Sequence, residues 1–116
     1  MNKFFVLLFF ITLLTIMYLA TTTNTQLAVV QSMWDKANHF AAFFTLYILL
    51  SLAFKDLAIA YKISLLLGFG MLIEIVQYFI PGREFSFLDV VADSIGIFIG
   101  IMFYQLQGYY KIYKLN

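Results

Sequence analysis

The residues of this sequence best equipped for acid–base chemistry or ion binding are a single histidine, His39, and the carboxylates Glu74, Asp89 and Asp93. General acid–base work needs such groups within hydrogen-bond reach of a reacting atom. One imidazole with several carboxylates is also a set that holds oxygen-preferring cations. Their spacing is regular. Asp35 and His39 are an i,i+4 pair, Glu74 and Gln77 an i,i+3 pair, and Asp89 and Asp93 another i,i+4 pair. If each segment is helical, its two polar groups share one face. Lys36 and Arg83 lie close by in sequence and supply cations, the guanidinium being suited to bidentate capture of carboxylate or phosphate.

The elements that must position these groups follow from composition. The chain has 116 residues, of which 64% are hydrophobic, 20% aromatic and 11% charged. A soluble domain carries roughly a quarter charged residues, so an ordinary soluble enzyme is excluded. There is no cysteine, which removes disulfides, thiolate catalysis and cysteine metal sites. The net charge of +1 comes from scattered residues with no basic stripe, so no nucleic-acid partner is expected. Four apolar segments are long enough to cross a hydrocarbon core, at about 4–20, 32–54, 61–80 and 86–105. The expectation is an all-α membrane protein, a four-transmembrane-helix bundle forming a single domain over 1–116. Lys3 and the apolar run ending in Tyr18-Leu19-Ala20 are similar to a secretory signal peptide, but Tyr18 fits poorly where a small residue should precede cleavage.

Positive residues near helix ends favour the cytoplasm. Lys3, Lys55, Lys62, Lys111 and Lys114 fall on the side of the termini, against Lys36 and Arg83 on the other, which predicts both termini cytoplasmic. Tyr61, Tyr104 and the tyrosines of the tail would mark the inner interface, with Trp34 and Tyr78 at the outer one. The polar pairs then all lie at the outward end. His39, Glu74 and Asp93 are each seven residues from a helix-end marker, Ser32, Pro81 and Ser86 respectively. At 1.5 Å per residue this places them roughly 10 Å deep. Asp35, Gln77 and Asp89 form a shallower layer. Isolated membrane charges cost ~2.5 to 3.5 kcal/mol each, so such groups face a bundle interior or a wet cavity. The reading is an outward-open polar pocket walled by the second, third and fourth helices. Ser32-x-x-Asp35 and Ser86-x-x-Asp89 also have the spacing of capping boxes. Gly96-x-x-x-Gly100 is a close-packing spacing that turns the Asp89–Asp93 face inward, and Gly68 and Gly70 are expected to pack closely too.

Taken in order, Trp34-Asp35-Lys36-x-x-His39-Phe40, Glu74-x-x-Gln77, Pro81-Gly82-Arg83-x-x-Ser86-x-x-Asp89 and Gly96-x-x-x-Gly100 resemble the VanZ-like family of small bacterial membrane proteins. The resemblance spans about Trp34 to Gly100. Lys36, His39, Glu74, Gln77, Arg83, Ser86 and Asp89 match recurring positions, while Asp93 stands where the family pattern leads one to expect asparagine. The resemblance implies a role in the bacterial cell envelope, in the cytoplasmic (inner) membrane, and a connection with low-level resistance to the glycopeptide teicoplanin.

Three functions are compatible with these residues. In the first, Asp35, Lys36, His39, Glu74, Gln77, Arg83, Ser86, Asp89 and Asp93 line a pocket that binds or remodels a membrane lipid, a lipid-linked wall precursor or a lipoglycopeptide. In the second, His39, Glu74 and Asp93 serve an intramembrane enzyme as acid, base or metal ligands. In the third the cluster is structural, and the chain assists another membrane protein or a second copy of itself. No HExxH, phosphate loop or nucleophile motif is present, and no cofactor is expected.

Overall fold

The computed structural model describes the backbone of residues 2–21, 28–80 and 87–115, and the side chains of 2–21, 36–80 and 87–108. The described residues form four helices: α1 Lys3–Thr21, α2 Ala28–Ala53, α3 Ile59–Tyr78 and α4 Phe87–Leu115. Each contains a stretch long and apolar enough to cross a membrane. The fold is therefore the all-helical, four-span architecture that the composition demands.

Boundaries differ from expectation at two places. α2 begins at Ala28, so the backbone of Ser32 lies inside the helix and not at its N-cap, and the side chains of the expected Ser32–Asp35 capping box lie outside the described ones. The apolar triplet Ala28-Val29-Val30 continues the helix into a stretch whose Thr, Asn and Gln content suggested a linker. α4 runs on to Leu115, about ten residues past the expected end near Gln105. Ser86 lies outside the described residues, immediately before the first helical residue Phe87.

Helix ends are tied to one another. Asn2 Oδ1 accepts hydrogen bonds from the backbone N–H groups of Phe4 at 3.1 Å and Phe5 at 3.4 Å, capping α1. The Asn2 backbone N–H donates to Ala53 O at 3.1 Å, which joins the start of α1 to the last carbonyl of α2. At the other end Gln77 Nε2 donates to Ala20 O at 2.8 Å, satisfying a carbonyl of the last turn of α1 from α3. α3 ends at Tyr78, three residues before Pro81, with Phe79 and Ile80 closing tight turns onto Val76 and Gln77 carbonyls at 3.1 Å each. Successive helices thus run in alternating directions.

α2 is the central element. His39, Phe43, Leu46, Tyr47, Leu50 and Ser51 recur at three- and four-residue spacing and are all buried. α4 meets this stripe with Asp89, Asp93, Gly96, Ile97 and Gly100, and the α2–α4 contact is the most extensive in the bundle. A Cβ at Gly96 would collide with the Phe40 carbonyl oxygen, and one at Gly100 would come within 3.1 Å of Tyr47. The two glycines therefore do what their spacing predicts, bringing one backbone onto the other. Gly70 lies against Asp93, where an added Cβ would stand 2.5 Å from Oδ2. Gly68 departs from expectation, having nothing within 4 Å, because it points out of the bundle. α1 touches α2 and α3 but not α4 among the described residues, and buries only Phe9. Its Phe4, Leu7, Phe10 and Leu14 are exposed, as lipid-facing side chains are.

Candidate functional site

Antiparallel packing brings the early turns of α2 and α4 beside the late turns of α3, and four ionisable side chains meet there. His39, Glu74, Asp89 and Asp93 are all buried, Glu74 and Asp93 completely. The His39 Nδ1–H donates to Asp93 Oδ1 at 2.6 Å, a tautomer that follows from the carboxylate partner. The opposite nitrogen, Nε2, faces Glu74 Oε1 at 3.9 Å and Asp89 Oδ2 at 3.8 Å. One ligand-type atom from each of His39, Glu74 and Asp89 lies within 4.8 Å of the others. Phe43, one turn below, stacks parallel to the imidazole, with ring centroids 6.4 Å apart and planes 4° apart. The ring is thus fixed in tilt by Phe43 and in rotation by Asp93.

The two polar layers inferred from spacing are joined here. Asp89, assigned to the shallow layer, reaches the same imidazole nitrogen as Glu74 of the deep layer. Asp93, equal in depth to His39 and Glu74 by residue count, sits behind the ring on the other nitrogen. Gln77 is buried but turns its amide toward α1. Lys36 is partly exposed at the same end of α2. Arg83 and Ser86 lie outside the described residues, as does the side chain of Asp35.

Beside the cluster is a cavity of about 220 Å³. Asn38, His39 and Gln77 give it a polar side, and Ile16, Leu19, Ala20, Ala42, Phe43 and Ile73 give it apolar walls. Its lining comes from α1, α2 and α3, whereas the sequence reading had placed the pocket between α2, α3 and α4. Gly96 and Gly100 draw α4 close onto α2 at Phe40 and Tyr47, while α1 stands beside the cavity. His39 is consequently shared, with the α4 carboxylates bonded or close to its ring and the cavity against it. Ile16, Leu19 and Ala20 were missed because aliphatic residues of a membrane span carry no chemical signal of their position.

Lys62, one of the cations at the end of the bundle that holds the start of α1, belongs to the first turn of α3 and is buried, at 4% exposed, which the charge count alone does not indicate. Its Nζ donates to Ser51 Oγ at 3.0 Å and lies 5.4 Å from the ring centroids of both Tyr47 and Tyr104. A cation between two aromatic faces gains electrostatically, while its desolvation costs free energy of similar size. Lys62→Met should therefore change unfolding free energy by no more than about 1 kcal/mol, measured by thermal melting in detergent. A loss above about 3 kcal/mol would mean that the ammonium is a necessary strut.

These features define a small multi-pass membrane protein with a buried histidine–carboxylate cluster at one end of its bundle. The chain belongs to the VanZ/LLP1 family, whose sequence profile matches residues 4–108. No significant match was found among curated proteins or solved structures.

Proposed function

We propose that this VanZ-family protein works in the bacterial cell envelope, binding or remodelling an envelope lipid or lipid-linked wall precursor at the outer leaflet and thereby altering susceptibility to teicoplanin. Both termini lie on the cytoplasmic side in this reading. Removing the buried Lys62 from the charge count still leaves Lys3, Lys55, Lys111 and Lys114 against Lys36 and Arg83. The observation that carries the proposal is the cavity, polar on one side at Asn38, His39 and Gln77 and aliphatic or aromatic on the others. An amphiphile needs this division. At about 220 Å³ the space falls below the ~300 Å³ of the smaller ligand pockets, so it suits a headgroup or part of an acyl chain. Lys36, three residues before His39 on α2, takes the anionic group, with Arg83, which follows α3 in sequence, as the second cation of this reading.

A second reading, an intramembrane enzyme, is favoured by one specific observation. A histidine anchored through Nδ1 by a carboxylate and facing two more through Nε2 is arranged for proton transfer.

The test is drug susceptibility in a host expressing wild type, Glu74→Ala or His39→Ala at equal membrane levels, with teicoplanin and vancomycin compared. Wild type is expected to protect against teicoplanin and both variants to lose that protection. If all three match the empty vector, the envelope role proposed here is wrong.

A further inference from the structure

We propose that His39 Nε2, Glu74 and Asp89 together bind one divalent cation of the Zn²⁺ or Mn²⁺ class, with Asp93 orienting the imidazole from behind. The inference goes beyond the lipid-binding reading and does not depend on it.

The geometry supports it at three levels. The first is convergence, because three separate helices each deliver one donor to a common point. Nε2 lies 3.9 Å from Glu74 Oε1 and 3.8 Å from Asp89 Oδ2. Ligand atoms about 2.1 Å from a shared tetrahedral ion stand ~3.4 Å apart, so the two edges at Nε2 contract by only a few tenths of an ångström, and all three donor atoms already lie within 4.8 Å of one another. Both separations exceed hydrogen-bond length, leaving an interval between Nε2 and each of the two carboxylate oxygens.

The second is the support behind the ligand. Metal-binding imidazoles donate their far N–H to a carboxylate or carbonyl, which fixes the tautomer and aims the other lone pair at the ion. The 2.6 Å bond from His39 Nδ1 to Asp93 Oδ1 has that form, and the Phe43 ring lies parallel to the imidazole. Gly70 keeps this partner in place, since any side chain there would meet Asp93 Oδ2 at 2.5 Å.

The third is charge. Three carboxylates surround one imidazole in a span of the bundle that is almost closed to solvent. Even with a protonated imidazole, three ionised acids would leave a formal charge of −2, which a hydrocarbon environment penalises heavily. A divalent cation on Nε2, Glu74 and Asp89, with a neutral His39, lowers the net charge of the cluster to −1. One nitrogen and two carboxylate donors suit Zn²⁺ or Mn²⁺, and three protein ligands leave a coordination position for water or an anionic oxygen.

The full chain, purified in detergent and stripped with chelator, is titrated with Zn²⁺ and, separately, with Mn²⁺ followed by its electron paramagnetic resonance. Wild type is expected to take up one ion per chain and to melt at a higher temperature when loaded. Glu74→Gln and Asp89→Asn, which preserve shape, should each weaken binding at least tenfold. Asp93→Asn should weaken it by about tenfold, as loss of a supporting carboxylate does, while Lys62→Met at the opposite end should bind as wild type. The proposal is overturned if wild type binds neither ion stoichiometrically. It is equally overturned if the Gln and Asn variants, shown helical by circular dichroism, bind as tightly as wild type. Should a variant not fold, the stoichiometry and melting shift of wild type decide. Because the readout is metal and not drug resistance, either proposal can fail without the other.

Discussion

Asp93→Ala is expected to lower the unfolding free energy by about 3 kcal/mol, whereas Asp93→Asn should lose only about 1 kcal/mol. Asp93 is fully buried and accepts the Nδ1–H of His39 at 2.6 Å. Alanine removes the acceptor and leaves a buried imidazole N–H without one, in surroundings where water does not readily replace it. Asparagine keeps an oxygen at the same place and a side chain of the same volume, so the imidazole stays oriented. Asparagine is also the residue that the family pattern led us to expect at this position. Chemical or thermal unfolding of the detergent-purified protein, followed by circular dichroism, separates the two variants. Equal and small losses for both would show that the Asp93–His39 bond contributes little to the bundle.

Gly96→Leu should be the most damaging substitution on the α2–α4 contact, with a loss of about 3 kcal/mol and little folded protein recovered from membranes. The atom that a Cβ at Gly96 would strike is the Phe40 carbonyl oxygen, with the Phe40 carbonyl carbon and the Phe44 nitrogen at 3.2 Å. These are backbone atoms and cannot rotate aside, so the helices must separate. Separation also pulls Asp89 and Asp93 away from His39, because all three reach across the same contact. Gly100→Ala provides the contrast. Its nearest neighbour is the Tyr47 side chain at 3.1 Å, which can shift by a few tenths of an ångström, and the expected cost is about 1 kcal/mol. Size-exclusion profiles and melting temperatures of the two variants test this, and a Gly96→Leu protein that accumulates and melts like wild type would contradict it.

How much of this was legible beforehand depended on the kind of information each residue carries. The four spans were visible because ~20 apolar residues in a row have few other uses. His39, Glu74 and Asp93 do meet, but the residue count that predicted it took Ser32 as the start of α2, whereas the helix begins at Ala28, so the count reached the right grouping from a wrong helix end. The Gly96–Gly100 contact was visible from its spacing. Rotation and tilt were not. Which carboxylate meets which imidazole nitrogen depends on how α3 and α4 turn about their axes, and no residue count reports that. The burial of Lys62 depended on Tyr47 and Tyr104 arriving from two other helices. The part played by α1 in walling the cavity was hidden for a similar reason, since Ile16 and Leu19 look alike whether they face lipid or a cavity.

The dominance of the α2–α4 contact constrains how the protein is made. Chains enter the bilayer from the N-terminal side, so α2 is inserted before the helix that covers its polar face has been translated. His39 must wait beside α1 and α3, and Glu74 likewise, until Asp89 and Asp93 emerge. The α2–α4 contact can therefore close only after α4 has been made, whereas the α1–α2 hairpin can form earlier. A ribosome stalled between α3 and α4 would hold a nascent chain with a histidine and a glutamate presented to lipid, the kind of species that membrane quality-control proteases remove.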